Sequence, residues 1–363
     1  MSLLPIGETA ARFGVKPTGV IHVGAHEGQE VAEYKALGLR KICLIEANDA
    51  HYSKLQDIAR QNPEVSVDMV AVSDRAGFAE LNVTTESQSS SLLPLAKHLE
   101  IYPDIKPVRR VAVETKTLDS MFDRERLAGI NVLNIDVQGA ELCVLKGAKR
   151  VLESVDLIIS EVNFEELYTG CPAIEEIDLF LFGHGFLRVD TKTPFHPSWG
   201  DAAYVRSSLI KNLSFLREKK RFAVSMSSLG SNGQFANQLF QYTFLMLYGV
   251  RSGCNAYAPE FYAAKYLRSN MSISMKGEYL PLPWLRTAEA SFLATSRPPR
   301  DVDLWGYFQG VTEAHRVHAA FIRELLRPSS EIEDALSSWL QELKRTFRRV
   351  IGLHIRKRRL SAL

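Results

Sequence analysis

Asp136 and Glu161 each close a short apolar run, Val132–Asp136 and Leu157–Glu161, and His26 sits in a glycine-containing turn after a third run, Val20–Val23. A carboxylate or imidazole at the mouth of a buried strand can take a proton from a hydroxyl. With His22, these three side chains are therefore the candidate general bases. An unperturbed imidazole titrates near pH ~6.5, which suits His26 to that work. A loop histidine serves equally well as a structural hydrogen-bonding group, so the choice of base stays open, with Asp136 the first candidate for positioning the reaction.

The turn itself reads Val20-Ile21-His22-Val23-Gly24-Ala25-His26-Glu27-Gly28-Gln29-Glu30. A strand running into a glycine-rich turn and then a helix places ligand at the strand's carboxyl edge. The helix start adds free N–H groups. A dinucleotide fingerprint would need a second glycine where His26 stands, and a side chain there crowds a pyrophosphate. The spacing between Gly24 and Gly28 suits the smaller methionine end of S-adenosyl-L-methionine, so His22, Gly24, Ala25 and Gly28 are the expected cofactor contacts.

Further along, Glu46 ends the run Lys41–Glu46, where a carboxylate can accept the ribose hydroxyls of an adenosyl group. Ser73 and Asp74 follow Val70-Ala71-Val72 and are expected to line the adenine pocket. Asp136 ends a strand beside the same cleft, ahead of a sharp turn at Gly139. Glu141 then falls in a first helical turn, where the helix dipole alone would favour an acid. No cluster of His, Asp and Glu has metal-site spacing. Methyl transfer from a sulfonium is an in-line displacement in which the protein mainly holds nucleophile, carbon and sulfur in line.

The elements that must hold these residues alternate. Candidate strands are Val20–Val23, Ile42–Glu46, Val67–Val72, Ala79–Val83, Val111–Thr115, Val132–Asp136, Leu157–Glu161, Phe186–Asp190 and Ala203–Arg206. Several are Val/Ile-rich without strict alternation, as in strands covered on both faces. Helical patterns cover Glu27–Leu37, His51–Gln61, Ala140–Glu153 and Ile174–His184. This order predicts an α/β, doubly wound, Rossmann-like sheet that is mostly parallel. The serine-rich insertion Thr84–Pro107 interrupts it, either as a lid or acceptor loop or as a solvated connection.

The pattern places a first domain over residues 1–206 and a linker helix over 207–221. A smaller α/β region over 222–363 opens with an apolar strand and a glycine-rich turn. The 363 residues carry a net charge of +2, which implies neither nucleic acid nor an acidic membrane as a partner. Basic residues cluster only near the end, from Lys344 to Arg359. The four cysteines have no CxxC or zinc spacing, which fits a reducing compartment. The first residues do not read as a signal peptide, and no run approaches the ~20 apolar residues of a membrane span. The expected location is cytoplasmic.

Taken in order, the segments IHVGAHEGQE, LIEAN, VAVSDRAG, KTLDSMF and NIDVQGAELCVLKGA resemble the FkbM family of methyltransferases over about residues 15–206. The resemblance implies S-adenosyl-L-methionine as cofactor and O-methyl transfer, in many members to sugar hydroxyls of glycans or glycoconjugates. It implies cofactor binding by Gly24, Gly28 and Glu46, with Asp136 near the reacting centre. His22, His26 and Gln138 depart from the family's usual Asp, Asn and Glu.

In the second region, Gly233–Tyr242, Leu304–Gln309 and Val350–Arg356 resemble motifs of α-1,2-fucosyltransferases. That resemblance implies a GDP-sugar site, here truncated, because Lys357–Leu363 replaces the Gly-Asp part of the last motif. A sugar-containing acceptor is the expected partner. The competing readings are a bifunctional enzyme with GDP-fucose-dependent activity and a non-catalytic glycan-binding scaffold.

Overall fold

The computed structural model describes residues 4–231, 233–275, 282–286, 293, 295–308 and 312–346. Its first ten strands are β1 (Gly19–Val23), β2 (Lys41–Glu46), β3 (Val65–Met69), β4 (Ala71–Val72), β5 (Gly77–Thr84), β6 (Pro107–Lys116), β7 (Val132–Ile135), β8 (Leu157–Asn163), β9 (Phe186–Lys192) and β10 (Trp199–Arg206). Seven of them form one sheet in the order β3-β2-β1-β7-β8-β10-β9. The five strands from β3 to β8 are parallel, and β10 runs against both of its neighbours.

Alternation explains why the sheet is covered on both faces. Val20, Ile42, Leu44, Val132, Leu157 and Ile159 join one buried cluster, and Ile21, Cys43, Ile45, Leu133 and Ile158 join the other. Successive side chains of a strand point to opposite faces, so an unbroken apolar run supplies both cores. Helices Ile6–Phe13 and Tyr52–Gln61 cover the first face, and Glu141–Lys146 and Ile174–Gly183 the second. The chain order reverses between β1 and β7, which makes their carboxyl edge a topological switch point.

Three expected elements differ. The helix expected from Glu27 begins only at Val31, because Gly28 adopts φ +76° and residues 25–30 form a turn. The helix expected over Ala140–Glu153 breaks into Glu141–Lys146 and Lys149–Ser154. The break falls at Gly147, which packs so closely on the Ser73 carbonyl that no Cβ would fit. The linker helix expected over 207–221 is two 3₁₀ turns, Ser207–Leu209 and Ser214–Arg217. Its buried residues Ile210, Phe215 and Leu216 would share no stripe at about 100° per residue, so a helix could not bury them together. Candidate strands Ala79–Val83 and Val111–Thr115 pair with each other as β5 and β6, in a separate three-stranded sheet with β4.

Residues 222–305 build a second sheet from β11 (Phe222–Ser225), β12 (Cys254–Ala258), β13 (Ile273–Ser274), β14 (Trp284–Arg286) and β15 (Val302–Trp305). Its order is β13-β12-β11-β15-β14 with every pair parallel, and helix Phe235–Ser252 packs on it. The expected α/β architecture is therefore present. A parallel sheet does not by itself identify a glycosyltransferase. Gln309 and the motif Val350–Arg356 lie outside the described residues.

The two regions share one continuous core, which includes Val205 and Phe215 of the first part with Val224, Phe244 and Tyr248 of the second. At their junction Arg300 bonds Glu175 (2.7 Å) and Arg251 donates to the Glu175 carbonyl (3.2 Å). No helix among the described residues is long and apolar enough to cross a membrane.

Candidate active site

A cavity of about 660 Å³ opens at the carboxyl edge of β1, β2, β7 and β8. Its shape begins with Gly24. At φ +83°, Gly24 lies so close to the Asp136 carbonyl oxygen that a Cβ would overlap it. The amides of Gly24 and Ala25 both donate to the Ile45 carbonyl (2.9 and 3.1 Å), which locks the turn to β2. Gly24, His22 and His26 line the cavity, whereas Ala25 is fully buried and neither it nor Gly28 reaches the cavity surface. Gly28 instead faces Leu55 and Ile58, where a Cβ would press on both side chains.

Glu46 sits at the adjoining rim. Its Oε2 accepts from His26 N–H (2.8 Å), and its Oε1 accepts from Ala47 and Asn48 N–H (2.9 and 2.7 Å). An ionised carboxylate has about four acceptor positions, so one on Oε2 remains for a ligand hydroxyl. Three backbone donors also fix the direction in which that oxygen is offered. The neighbouring wall is Val70, Ala71 and Val72. Ser73 and Asp74, expected to line the adenine pocket, lie outside it: the Ser73 carbonyl is turned to Gly147 and Asp74 is exposed. Two residues of further advance carry the chain past the cavity's edge.

His26 has both ring nitrogens engaged, and His22 has its Nδ1 engaged. Gln29 donates to His26 Nδ1 (2.9 Å), leaving His26 Nε2–H to donate to Ser87 Oγ (2.7 Å). Burial and the nearby His51 ring, centroid to centroid 4.0 Å, hold the His26 pKa below its ordinary value. In a buried relay, Asn134 donates to Tyr34 Oη (2.9 Å), whose hydroxyl donates to His22 Nδ1 (3.1 Å). Burial pushes His22 down to about 4, so it stays neutral at physiological pH. In this arrangement both ring nitrogens of His26 are taken up by Gln29 and Ser87.

Asp136 and Glu161, by contrast, converge. Gln138 Nε2 donates to Asp136 Oδ1 and to Glu161 Oε2, each at 2.7 Å, while Tyr168 Oη–H donates to Gln138 Oε1 (2.6 Å). Gln138 adopts a left-handed φ of 56° to make this clamp. Asp136 opens onto the cavity but is otherwise ringed by protein. That desolvation pushes its carboxyl up to about 6, with the Gln138 bond opposing the rise. Glu161 is raised well above the usual range by burial and then by Asp136. Glu141 is fully buried beneath the turn; its Oε1 accepts from Gly139 N–H (2.9 Å) and Val137 N–H (3.3 Å), and burial lifts it to about 7. Asp201 joins the cavity from β10, directly across the ladder from Glu161.

The insertion Thr84–Pro107 covers the cavity. Ser87, Ser89 and Ser91 line it. Ser91 Oγ donates to the Gln138 carbonyl (2.7 Å), and Ser87 meets His26, so the strap is bonded to both turns that border the cavity. The outer wall is aromatic, with Tyr102, Tyr168, Phe195 and Trp199. Sequence reasoning missed Tyr168, Asp201 and these rings, because each reaches the site through pairing across strands or loops. The serine run was the visible signal for the strap. Among the described residues no group of His, Cys, Asp and Glu could hold a metal ion.

Residues 22–188 match the family model of the methyltransferase FkbM domain. The chain is 33% identical over 108 residues to the 2-O-methyltransferase NoeI of Sinorhizobium fredii (strain NBRC 101917 / NGR234), a match covering 28% of this chain and 44% of that protein. The chain therefore spans less than half the length of that curated relative. The solved methyltransferase FkbM from Methylobacillus flagellatus KT is similar with a TM-score of 0.36 at 13% identity, covering 52% of this chain and 43% of that one. Aeropyrum pernix fibrillarin in complex with S-adenosyl-L-methionine is similar with a TM-score of 0.31 at 14% identity, covering 52% and 66%.

Residues 22–188 thus carry a methyltransferase domain of the FkbM type, for which S-adenosyl-L-methionine is the methyl donor. The family match ends before residue 222, and the α-1,2-fucosyltransferase resemblance gains no support from it.

Proposed function

We propose that this protein is an S-adenosyl-L-methionine-dependent O-methyltransferase acting on a sugar hydroxyl of a glycan or glycoconjugate. The observation that carries the reading is the clamp of Asp136 and Glu161 by Gln138 in the same cavity that Glu46 borders. In this reading Gly24 lets the methionine end lie against β1, Glu46 Oε2 accepts a ribose hydroxyl, and Val70–Val72 flank the adenine. Asp136 and Glu161 then face the acceptor, where one takes the hydroxyl proton as the oxygen attacks the methyl carbon. Bound S-adenosyl-L-methionine would supply the methyl group and its sulfonium leaving group, while the second carboxyl and the Gln138 amide hold the base in place. NoeI is a 2-O-methyltransferase by name, which supports a hydroxyl oxygen as the nucleophile.

The test is transfer of labelled methyl from S-adenosyl-L-methionine to a glycan array by the wild type and by Asp136→Asn and Glu161→Gln. Label on sugar hydroxyls, reduced at least ~100-fold in one carboxamide variant, is expected. Label only on proteins or small phenols would overturn the sugar reading. Cytoplasmic location belongs to this proposal. A GDP-sugar site in residues 222–363 is the weaker alternative and rests on the Gly233–Tyr242 motif; GDP-fucose binding by the intact chain would favour it.

A further inference from the structure

The acceptor end of the cavity has chemistry that the catalytic account does not use. Trp199 opens β10, and Asp201 follows it on the same face of the strand. Across the ladder, Trp199 pairs with Asn163 and Asp201 with Glu161, so an aromatic ring stands beside the carboxyl cluster. The indole is held: its N–H donates to Tyr102 Oη at 3.0 Å. Phe195 lies against it with ring centroids 6.0 Å apart and planes inclined by 27°, and Phe195 is 71% exposed. Both rings line the cavity. Asn163 is 1% exposed, and neither atom of its amide has a partner among the described residues.

A broad apolar wall next to several hydrogen-bond acceptors selects its ligand. Phosphate or carboxylate groups would find no Lys or Arg among the described residues that line the cavity, and would face the carboxyl groups of Asp136, Glu161 and Asp201 instead. A planar aromatic acceptor could stack but would offer one hydroxyl to a cluster with room for more. A cation would suit the rings, but burial raises the pKa values of Glu161 and Glu141, which weakens that attraction. A pyranose has a face of C–H groups for the rings and an edge of hydroxyls for the carboxyls.

We infer that Trp199, held by Tyr102 and extended by Phe195, is the platform on which a pyranose ring of the acceptor lies, with one ring hydroxyl turned to Asp136 and Glu161. The inference rests on the sugar O-methyltransferase reading. It makes Trp199 a specificity-determining residue: it selects a ring with an apolar face and sets which hydroxyl edge meets the base.

The test uses the full chain saturated with S-adenosylhomocysteine and a panel of methyl pyranosides of gluco, galacto, manno and 6-deoxy configuration. Saturation-transfer NMR reads binding, and calorimetry reads S-adenosylhomocysteine separately. Transfer to the C–H face of at least one pyranoside is expected. Trp199→Ala should weaken it about tenfold or more, while Trp199→Phe retains most of it. Both variants should bind S-adenosylhomocysteine as the wild type does, which also shows that they are folded.

No pyranoside binding by the loaded wild type, binding of tetramethylammonium in its place, or unchanged pyranoside affinity in Trp199→Ala would each overturn the platform. Pyranoside binding by a chain that cannot bind S-adenosylhomocysteine would contradict the methyltransferase reading and leave the platform standing.

Discussion

The carbonyl oxygen of Asp136 occupies the space that a side chain on Gly24 would need. The Gly24 turn and the end of β7 are therefore one packing unit, since β1 and β7 are adjacent and parallel. Gly24→Ala adds both this overlap and a left-handed φ of +83° that disfavours any other residue. The variant is expected to lose at least ~2 kcal/mol of stability and most cofactor affinity. Thermal unfolding with and without S-adenosylhomocysteine measures both. Unchanged unfolding and binding would mean that the turn is looser than described.

Gln138 supplies both amide hydrogens to carboxylates, and such bonds favour the ionised form. Gln138→Leu removes them and leaves two facing acids without their shared donor. Their pKa values rise, so the acid limb of kcat should move up by about one pH unit, with kcat down at least ~10-fold at neutral pH. A pH–rate profile with an unmoved acid limb would remove Gln138 from the positioning of the base.

Glu141 has a pH signature in stability. Its folded carboxyl lies at about 7 against an ordinary value of 4.5, so the folded state binds more protons across that window. Stability then falls as pH rises from about 4.5 to 7, by roughly 3 kcal/mol in the limit. Glu141→Gln keeps an acceptor for Gly139 N–H and cannot ionise. Denaturant unfolding should show the variant gaining on the wild type from pH 5 to pH 8, with the difference shrinking below pH 5. Parallel curves would contradict the assignment.

The strap depends on Ser91, whose hydroxyl donates to the Gln138 carbonyl and accepts from Leu93 N–H (3.0 Å). Ser91→Ala should cost about 1 kcal/mol locally. Amide exchange in residues 86–92 should quicken and S-adenosylhomocysteine should dissociate faster, while global unfolding barely shifts. Exchange as slow as in the wild type would show that the strap is held elsewhere.

The first domain's sheet was readable because β1, β7 and β8 are fully buried, mainly apolar segments whose two faces both need cover. Gly24 and Asp136 directly follow β1 and β7 and line the cavity, as does Glu161, although β8 runs two residues past the expected end at Glu161. Ser73 and Asp74 were misplaced because strand endings are only loosely marked in sequence, and β4 is two residues long. Trp199 and Asp201 were invisible because an antiparallel return strand brings them to Glu161 from 38 and 40 positions away. The 207–221 segment misled through its polar composition, which hid the spacing of Ile210, Phe215 and Leu216.

In the proposed reading, Glu46 and the Gly24 turn hold S-adenosyl-L-methionine beside Asp136. Calorimetric titration of the full chain with S-adenosylhomocysteine, run beside Glu46→Ala, tests it most directly. One site per chain is expected in the wild type, with a loss of at least ~1.5 kcal/mol of binding free energy in the variant, since a hydrogen-bond acceptor is removed. A folded wild type that binds no S-adenosylhomocysteine, or a variant that binds it equally well, would contradict it.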